Sequence, residues 1–372
     1  MAYIVADNIF SPLGETTEEN FSQLTRMQSG IRKHENPVFS EQPFYAALFD
    51  DAVFPIDNKH TRFEQMLIRS ISTALANSHV DPSDAGTALI ISTTKGNINL
   101  LETNEDSPEL HQQVALTASA KKLASHFNFV NQPMIVSNAC ISGLLGLIMG
   151  MRLIRNGQYQ HVVVAGADVI SKFVLSGFQS FQAVSNQPCR PFDADRDGIN
   201  LGEGAATVIL SSKQNRPDDI SITGGSVSND ANHISGPSRT GEELYQAIQK
   251  ALDDAGLTSA DIDMISAHGT ATLYNDEMEA KAINLAGLQN VPMNSLKGYY
   301  GHTLGAAGLI EAVASIHAMK NNLVLPTPGF KRSGVSLPVN VSDTLKEAVT
   351  RNCLKTASGF GGCNAAVIFN KK

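Results

Sequence analysis

The sequence has 372 residues, 42% of them hydrophobic and 17% charged, a composition that supports a globular protein with a substantial core. Its formal net charge of −8 at pH 7, without any run of Lys or Arg, argues against nucleic acid as the main partner. Four cysteines without a CxxC pair argue against a disulfide scaffold and indicate reduced thiols in a cytoplasmic protein.

The sequence also gives no sign of a targeting or membrane segment. The N-terminus, MAYIVADNIF, lacks the charged segment and long apolar core of a signal peptide. The most apolar stretch, residues 141–154, is too short to cross a bilayer and contains Arg152. We therefore expect no membrane span.

The first 130 residues predict strands that alternate with helices. Apolar runs predict the strands, and apolar residues at helical spacing predict the helices. These elements lie at 2–6 (strand), 17–27 (helix), 63–78 (helix), 88–92 (strand) and 115–127 (helix). The segments 30–54 and 102–111 are predicted to be loops, since both are rich in charged residues and interrupted by Pro.

The stretch from 133 to 168 predicts a strand, a sharp turn, a buried helix and a second strand. The strand at 134–136 is expected to be buried on both faces. Cys140 follows it at the start of the helix, where the positive end of the helix dipole is expected to lower the pKa of the thiol. Such a cysteine is a candidate nucleophile, although free cysteines are often inert core residues.

The second half of the chain repeats a similar order of elements, which hints at a duplication. An α/β fold with mostly buried sheets is expected. The predicted elements lie at 161–164 (strand), 173–183 (helix), 206–210 (strand), 220–226 (strand), 241–256 (helix), 264–267 (strand), 276–286 (helix), 304–320 (helix) and 354–370 (strand, Gly-rich turn, strand).

Three polar sites flanked by glycine stand at the ends of apolar segments. They are Cys140, His268 in SAHGTAT and His302 in GYYGHTLGAAG. Strand ends form the binding crevice of many α/β folds, so these side chains are expected to meet there. A histidine in a Gly-rich turn taken singly is more often a packing residue. Together, the three predict a nucleophilic thiolate assisted by imidazoles.

Two other uses of the same residues carry less weight. A zinc site at Cys140, His268 and His302 would lack closely spaced ligand pairs and a fourth ligand near them in sequence. A dinucleotide site would need GxGxxG between a strand and a helix, and the Gly-rich GFGGCN precedes no predicted helix. Thiol chemistry without a nucleotide cofactor is therefore the prediction.

Five motifs follow one another along the chain: NACISG, RPFDADRDGINLGEG, AHGTATLYNDEMEA, SLKGYYGHTLGAAGLIEA and GFGGCNA. Together they resemble the elongating, Cys-His-His branch of the β-ketoacyl-[acyl carrier protein] synthases, over almost the whole chain. The resemblance implies a thiolase-like α/β fold, with duplicated βαβαβαββ halves in a five-layer αβαβα core. The halves would be residues 1–215, with the nucleophile, and 216–372, with the two histidines.

Carried over position by position, the resemblance implies an acyltransferase with Cys140, His268, His302 and Lys297 as catalytic residues. Cys140 would accept the acyl group, and the histidines would stabilise the enolate formed when malonyl-[acyl carrier protein] loses carbon dioxide. The initiating branch carries Asn where His302 stands, and thiolases use a second cysteine, so His302 favours decarboxylative elongation.

The resemblance also implies a set of supporting residues. Glu279 and Glu311 would orient the histidines, and Thr270 and Thr272 would contact the phosphopantetheine arm of the carrier. Phe360 would gate the acyl pocket, and its backbone N–H would form the oxyanion hole with that of the nucleophile. The charged residues of the second motif, Asp193, Arg196, Asp197 and Glu203, are expected to form structural ion pairs.

The expected partners are acyl carrier protein and a second subunit, as a homodimer or as a heterodimer with a related subunit. No cofactor is expected beyond the phosphopantetheine of the carrier. The chain departs from the family in Ile141, directly after the nucleophile, and in a shorter segment between Asn97 and Ala115. These departures tilt the expected pathway from fatty acid synthesis towards aryl polyene or polyketide synthesis. The alternatives are a non-catalytic subunit resembling a chain length factor and a thiolase-like enzyme.

Overall fold

A computed structural model of the chain describes residues 1–54, 57, 59–231 and 236–372. Runs of apolar, often β-branched residues form the strands, because such side chains pack well on a pleated sheet. The strands are β1 (Ala2–Phe10), β2 (Arg32–His34), β3 (Phe44–Ala47), β4 (Thr87–Ser92), β5 (Met134–Val136), β6 (His161–Asp168), β7 (Leu201–Gly202), β8 (Gly204–Ser211), β9 (Ser221–Asn229), β10 (Met264–Ser266), β11 (Met293–Asn294), β12 (Leu323–Val324), β13 (Lys346–Glu347), β14 (Asn352–Gly359) and β15 (Cys363–Asn370).

Helices form where apolar residues recur every three or four positions. Several start at a hydroxyl N-cap, for example Thr16, Thr61 and Ser171, whose side chains accept a backbone N–H of the first turn. The helices are α1 (Thr17–Thr25), α2 (Arg62–Ala76), α3 (Pro108–Val114), α4 (Leu116–His126), α5 (Ser142–Arg155), α6 (Lys172–Ser180), α7 (Glu242–Ala255), α8 (Leu273–Leu285), α9 (Lys297–Tyr300) and α10 (Ala307–Lys320).

The main sheet has ten strands, in the order β11-β10-β14-β15-β9-β1-β8-β6-β4-β5. The order β5-β4-β6-β8-β1 is the same as β11-β10-β14-β15-β9 when the strands of each set are ranked along the chain. The two sets join where β1 pairs with β9, at Ala2 with Ile222 and Tyr3 with Ser221. This repetition is the mixed α/β, thiolase-like architecture expected from the sequence.

Helices α5 and α10 form the layer between the two five-stranded sets. Helix α5 packs against strands of both sets, and α10 packs against α5, β8 and β14, while α2 and α7 cover the outer faces. The two central helices cross at glycines near their N-terminal ends. A Cβ at Gly143 would lie 2.8 Å from the backbone nitrogen of Leu309, and one at Gly308 would lie 2.9 Å from that of Leu144. Only glycine permits so close a backbone approach.

Three predictions of local structure are wrong. The segment 30–54 is not an irregular loop, because β2 and β3 form there and β3 pairs with β7. The segment 102–111 includes the start of α3, which has Ser107 as its N-cap and Pro108 at its first position. Strand β5 is not buried on both faces, because it is the edge strand and Met134 and Ile135 are half-buried.

No helix in the described ranges is long and apolar enough to cross a membrane. The boundary between the halves at residues 215 and 216 stays a prediction.

Candidate active site

Cys140 lies in a tight turn between β5 and α5. The preceding Ala139 has a φ of 44°, in the left-handed region that costs a non-glycine residue roughly 1–3 kcal/mol. The hydroxyl of Ser142 accepts the backbone N–H of Asn138 at 2.8 Å and donates to the carbonyl of Ala139 at 2.7 Å. These bonds hold the turn, and they leave the Cys140 side chain on the wall of a cavity.

The environment of Cys140 favours the thiol over the thiolate. Burial raises the pKa of the Cys140 thiol to about 12, and the neighbouring Cys363 adds to the rise. Lys297 and a hydrogen bond from the backbone of Phe360 act in the opposite direction. This direction is opposite to the lowered pKa expected from the sequence, because loss of solvation at a buried thiol disfavours the charged thiolate. The thiol must give up its proton as it attacks.

His268 lies two residues after the end of β10, and Lys297 fixes its orientation. The ammonium nitrogen Nζ of Lys297 lies 3.2 Å from Nδ1 of His268 and donates to its carbonyl at 2.6 Å. An ammonium group has only donors, so Nδ1 must accept and the ring proton must be on Nε2. His268 therefore presents an N–H donor at the nitrogen that does not face Lys297.

His302 lies beside His268 in the turn between α9 and α10. The ring centroids are 5.3 Å apart and the ring planes make an angle of 81°. The backbone N–H of His302 donates to the carbonyl of Asn200 at 2.7 Å. Burial, followed by the charge of Lys297, lowers the pKa of both imidazoles well below the ordinary value, so both are neutral at pH 7.

The zinc alternative is not supported by the arrangement of side chains. In residues 1–54, 57, 59–231 and 236–372, no group of three or more His, Cys, Asp or Glu residues is placed to hold a metal ion.

Two buried glutamates stabilise the histidine loops. Glu279 of α8 accepts the backbone N–H groups of His268 at 2.8 Å and Gly269 at 2.7 Å. Glu311 of α10 binds the ammonium group of Lys297, with 2.6 Å between Oε1 and Nζ. Both contacts place a carboxylate behind the imidazoles, where it fixes the loops without reaching the cavity.

The cavity has a volume of about 320 Å³ and brings together most of the residues singled out in the sequence. Its lining includes Cys140, His268, His302, Thr270, Thr272 and Phe360. The hydroxyls of the two threonines lie 2.8 Å apart at the wall. Lys297, Glu279 and Glu311 do not line the cavity, since they lie behind the histidines.

Phe360 lies at the mouth of the cavity with 39% of its surface exposed. Its ring stacks on Phe178, and the edge of Phe181 meets it, each at a centroid distance of 5.5 Å. Phe178 lies in α6 and Phe181 directly follows it, and their ordinary apolar spacing gave no sign of a site. Lys355, a fully buried lysine within the apolar strand β14, was not expected from the sequence either. A charged residue in such a strand was the available signal.

Of the four charged residues of the second motif that were expected to form ion pairs, Glu203 and Arg196 do so, whereas Asp193 and Asp197 accept hydrogen bonds from uncharged groups instead. Arg62 binds Glu203 at 2.7 Å, and the Nε atom of Arg196 lies 3.8 Å from Asp276. Asp193 accepts the backbone N–H groups of Lys331 and Arg332, whereas Asp197 accepts the hydroxyl of Ser185. These residues stabilise loops around the site and do not line the cavity.

Two family models match the chain. The N-terminal domain of β-ketoacyl synthase matches residues 3–216, and its C-terminal domain matches residues 220–331. The chain is 36% identical to 3-oxoacyl-[acyl-carrier-protein] synthase 2 of Rhizobium meliloti, over 63% of this chain and 60% of that protein. It is 29% identical to the synthase of the same name from Vibrio cholerae, over 98% and 97% of the two chains.

Among solved structures, the chain is similar to one from the complex of ketosynthase ApeO with its chain length factor ApeC, from Xenorhabdus doucetiae. The TM-score is 0.90 and the identity 26%, over 100% of this chain and 98% of that one.

Proposed function

Because the chain belongs to the β-ketoacyl synthase family, we propose that it catalyses the decarboxylative Claisen condensation of an acyl group with malonyl-[acyl carrier protein]. The observation that carries this proposal is the meeting of Cys140, His268 and His302 on one cavity wall. The alignments to the Rhizobium and Vibrio proteins agree on the family. The first covers only 60% of the Rhizobium protein, and the second covers almost the whole of the Vibrio protein.

In the first half-reaction the sulfur of Cys140 attacks the carbonyl carbon of an acyl thioester on the carrier. A C–S bond forms, the pantetheine thiol leaves, and the proton of Cys140 ends on that thiol. The high pKa of Cys140 requires this proton to move during the attack, and it can pass directly to the sulfur of the leaving pantetheine, because both ring nitrogens of His268 are already engaged. We expect the backbone N–H groups of Cys140 and Phe360 to stabilise the oxyanion, as the family resemblance implies.

In the second half-reaction a malonyl thioester loses carbon dioxide. The electrons of the broken C–C bond form an enolate, whose oxygen would receive the Nε2–H of His268 and a hydrogen bond from His302. Two such donors in a water-poor site are worth several kcal/mol, roughly 3–4 for each, in transition-state stabilisation. The enolate carbon then attacks the acyl carbonyl, and Cys140 leaves and regains a proton.

The remaining lining suggests how the substrates enter. Thr270 and Thr272 present hydroxyls at the wall, as expected for contacts with the pantetheine amides. The apolar rings of Phe178, Phe181 and Phe360 favour an apolar or conjugated acyl chain at the mouth. Saturated fatty acyl chains are equally apolar, so a specialised pathway, such as aryl polyene or polyketide assembly, stays a prediction. Ile141 packs in the core and does not line the cavity.

We further propose acyl carrier protein as the partner that delivers both substrates, and a dimer as the working form. The half-buried edge strand β5 and an adjacent groove with Leu145 and Met149 offer a surface for a second copy or a related subunit. A similar solved chain comes from a complex of a ketosynthase with its chain length factor. Light scattering of the purified chain tests the dimer, and a monomer at micromolar concentration would refute it. A cytoplasmic location stays a prediction of the cysteine pattern.

The proposed reaction is tested by intact mass after addition of an acyl-carrier thioester, followed by the malonyl carrier. An acyl adduct on Cys140 that disappears with release of carbon dioxide and formation of a ketoacyl product supports it. If no acyl group from a panel of short, long and aryl chains loads, the chain is better explained as a non-catalytic subunit. Condensation without carbon dioxide would instead favour thiolase chemistry.

A further inference from the structure

Glu311 is shared by two buried lysines. Its Oε1 atom lies 2.6 Å from Nζ of Lys297, and its Oε2 atom lies 2.7 Å from Nζ of Lys355. The side chains of both lysines are fully buried. Lys297 orients His268, whereas no step of the proposed reaction involves Lys355. A buried charged lysine is nevertheless costly unless it is paired.

The surroundings of Lys355 consist of hydrogen-bond acceptors. Its ammonium group donates to the carbonyls of Ser266 at 3.1 Å, Ala267 at 3.2 Å and Thr356 at 2.8 Å, and it faces Glu311. A neutral amine would leave its lone pair without a donor there, so the site fits the charged form. Burial lowers the pKa of Lys355, whereas the charge of Glu311 opposes that effect.

These contacts connect Lys355 to His268 by two routes. The carbonyl of Ser266 belongs to the last residue of β10, and that of Ala267 belongs to the residue between β10 and His268. Through Glu311, Lys355 also holds the carboxylate that positions Lys297, which in turn donates to Nδ1 of His268. Lys355 therefore supports both the backbone and the ring of one proposed enolate-binding histidine, from β14, whose last residues Ser358 and Gly359 also line the cavity.

We propose that Lys355 is a positioning residue for the malonyl half-reaction, holding Glu311 and the end of β10 so that His268 keeps its Nε2–H directed to the enolate oxygen. This rests on the proposed function. Acylation of Cys140 does not require that donor, so the two half-reactions should respond differently to loss of Lys355.

Lys355 also contributes to the charge around both imidazoles. After burial, the charges of Lys297, His302 and Lys355 lower the pKa of His268, whose backbone N–H is bound by Glu279. After burial, the charges of Lys297, Lys355 and Lys95 lower the pKa of His302, and Lys95 is itself paired with Asp168 at 3.1 Å. Removal of one cation makes protonation of the imidazoles easier, and a protonated His268 can no longer accept from Lys297 at Nδ1.

The test compares Lys355→Met, which keeps the length and removes the charge, with Lys95→Met as a matched loss of a cation that does not contact Glu311. In K355M we expect acylation of Cys140 within about threefold of the unsubstituted protein and a fall in malonyl decarboxylation of about 30-fold. That fall is smaller than the roughly 10²–10³-fold cost of losing one transition-state donor, because the His268 donor would be misaligned and not removed. We also expect the acid limb of the decarboxylation profile to move up by about one pH unit.

In K95M, we expect the decarboxylation rate at pH 7.5 to fall much less than in K355M. Equal loss of both half-reactions in folded K355M, or an equal fall in the two variants, would overturn the proposal. A purely structural role of Lys355 would lower the melting temperature and leave the pH profile and the ratio of the two rates unchanged.

A second arm does not depend on the proposed reaction. Nitrogen NMR of ¹⁵N-histidine protein, without substrate, should find His268 neutral with the proton on Nε2, and should find its pKa raised in K355M. An unchanged tautomer and titration would overturn the inference even if the enzyme is active. Absence of acylation in the unsubstituted protein would refute the proposed function alone.

If K355M does not fold, Lys355→Gln carries the test. The glutamine amide removes the charge but can still donate to the carbonyls around Lys355, and it leaves the Lys297–Glu311 pair in place. The proposal expects this variant to acylate Cys140 and to lose malonyl decarboxylation, and decarboxylation at the unsubstituted rate would overturn it.

Discussion

The ammonium nitrogen of Lys297 lies 3.2 Å from Nδ1 of His268, and this contact determines which nitrogen of the ring carries the proton. The lysine can only donate, so the ring must carry its proton on Nε2. A buried ion pair with Glu311 holds the lysine in place. Thus a residue outside the cavity sets the hydrogen-bonding character of one that lines it.

The first prediction concerns acid pH. Burial lowers the pKa of His268 and His302 well below 6.5, so malonyl decarboxylation should keep its rate from pH 8 down to pH 6. Carbon dioxide release across this range is the measurement, with His34→Gln, on β2 outside the site, as a control for general effects. A rate that halves near pH 6.5 would show that the imidazoles titrate normally.

The same histidines should make the fold less stable in acid. The unfolded chain binds protons at its histidines as the pH falls below 6.5, whereas the folded chain does not, so this contribution is lost as the pH falls from 6.5 towards the folded pKa. Asp276 acts oppositely, because burial raises its pKa to about 6 and its contribution is lost as the pH rises through 6. In Asp276→Asn, urea unfolding should therefore show a steeper loss of stability between pH 6 and pH 5.

The second prediction is that Cys140→Ala abolishes acylation and condensation while leaving the fold intact. Cys140 is the only one of the four cysteines that lines the cavity with both histidines. Intact mass after incubation with an acyl-carrier thioester is the measurement. Cys353→Ala, in the core strand β14, is the matched control and should still load. An adduct of unchanged stoichiometry on C140A would contradict the assignment.

The third prediction concerns alkylation of Cys140 by iodoacetamide. With a pKa of about 12, roughly one molecule in ten thousand carries the thiolate at pH 8. The labelling rate at Cys140 should therefore rise about tenfold per pH unit from pH 7 to pH 10, without a plateau. C140A corrects for the other cysteines. A plateau anywhere between pH 7 and pH 10 would contradict the raised pKa, and a plateau already reached near pH 7 would restore the view that the helix dipole lowers the pKa.

The fourth prediction concerns Glu279. Its two oxygens accept the N–H groups of His268 and Gly269 and the hydroxyl of Thr356. In Glu279→Gln one oxygen becomes a donor, so at least one buried N–H loses its acceptor, at a cost of about 2–3 kcal/mol. Urea unfolding measures the loss. Glu277→Gln, a less buried change on the same helix, should cost less than half as much, and equal costs would contradict the argument.

The fifth prediction is that Phe181→Ala lowers kcat/KM for long or aryl acyl-carrier substrates about fivefold, with little effect on acetyl transfer. The Phe181 ring meets Phe360 at the mouth, and loss of such an aromatic contact is worth about 1 kcal/mol. Phe173→Ala, a more exposed phenylalanine on α6 that does not line the cavity, is the control. Equal loss for acetyl and long chains would refute a role in acyl selection.

Much of the fold followed from periodicity. Strands such as β4 and β6 and helices such as α2 and α7 are long or strongly patterned, and their predicted bounds differ from the observed ones by a few residues. The errors fall where local composition is misleading. The polar β2 is stabilised by pairing with β3 and not by its own residues, and the capping signal of Ser107 and Pro108 was overlooked.

The candidate site followed from motifs, whereas its electrostatics did not. Cys140, His268 and His302 were expected together and they line one cavity. Their catalytic roles stay predictions. The pKa of Cys140 was expected in the wrong direction, because burial depends on the packing of α10 against α5, which no local pattern encodes. Lys355 was missed for a similar reason, since its partners lie far away in sequence.

The crossing of α5 and α10 has a consequence for how this protein can change. Gly143 lies three residues after Cys140, and Gly308 lies six residues after His302. The distance between the Cys140 sulfur and the His302 imidazole therefore depends on a direct contact between the backbones of α5 and α10. Side chains lining the mouth can be exchanged to admit another acyl group without disturbing that spacing. A single methyl group at either glycine would push α5 and α10 apart. Single substitutions at the mouth can thus change the acyl group that is accepted, while the separation of Cys140 and His302 stays nearly the same.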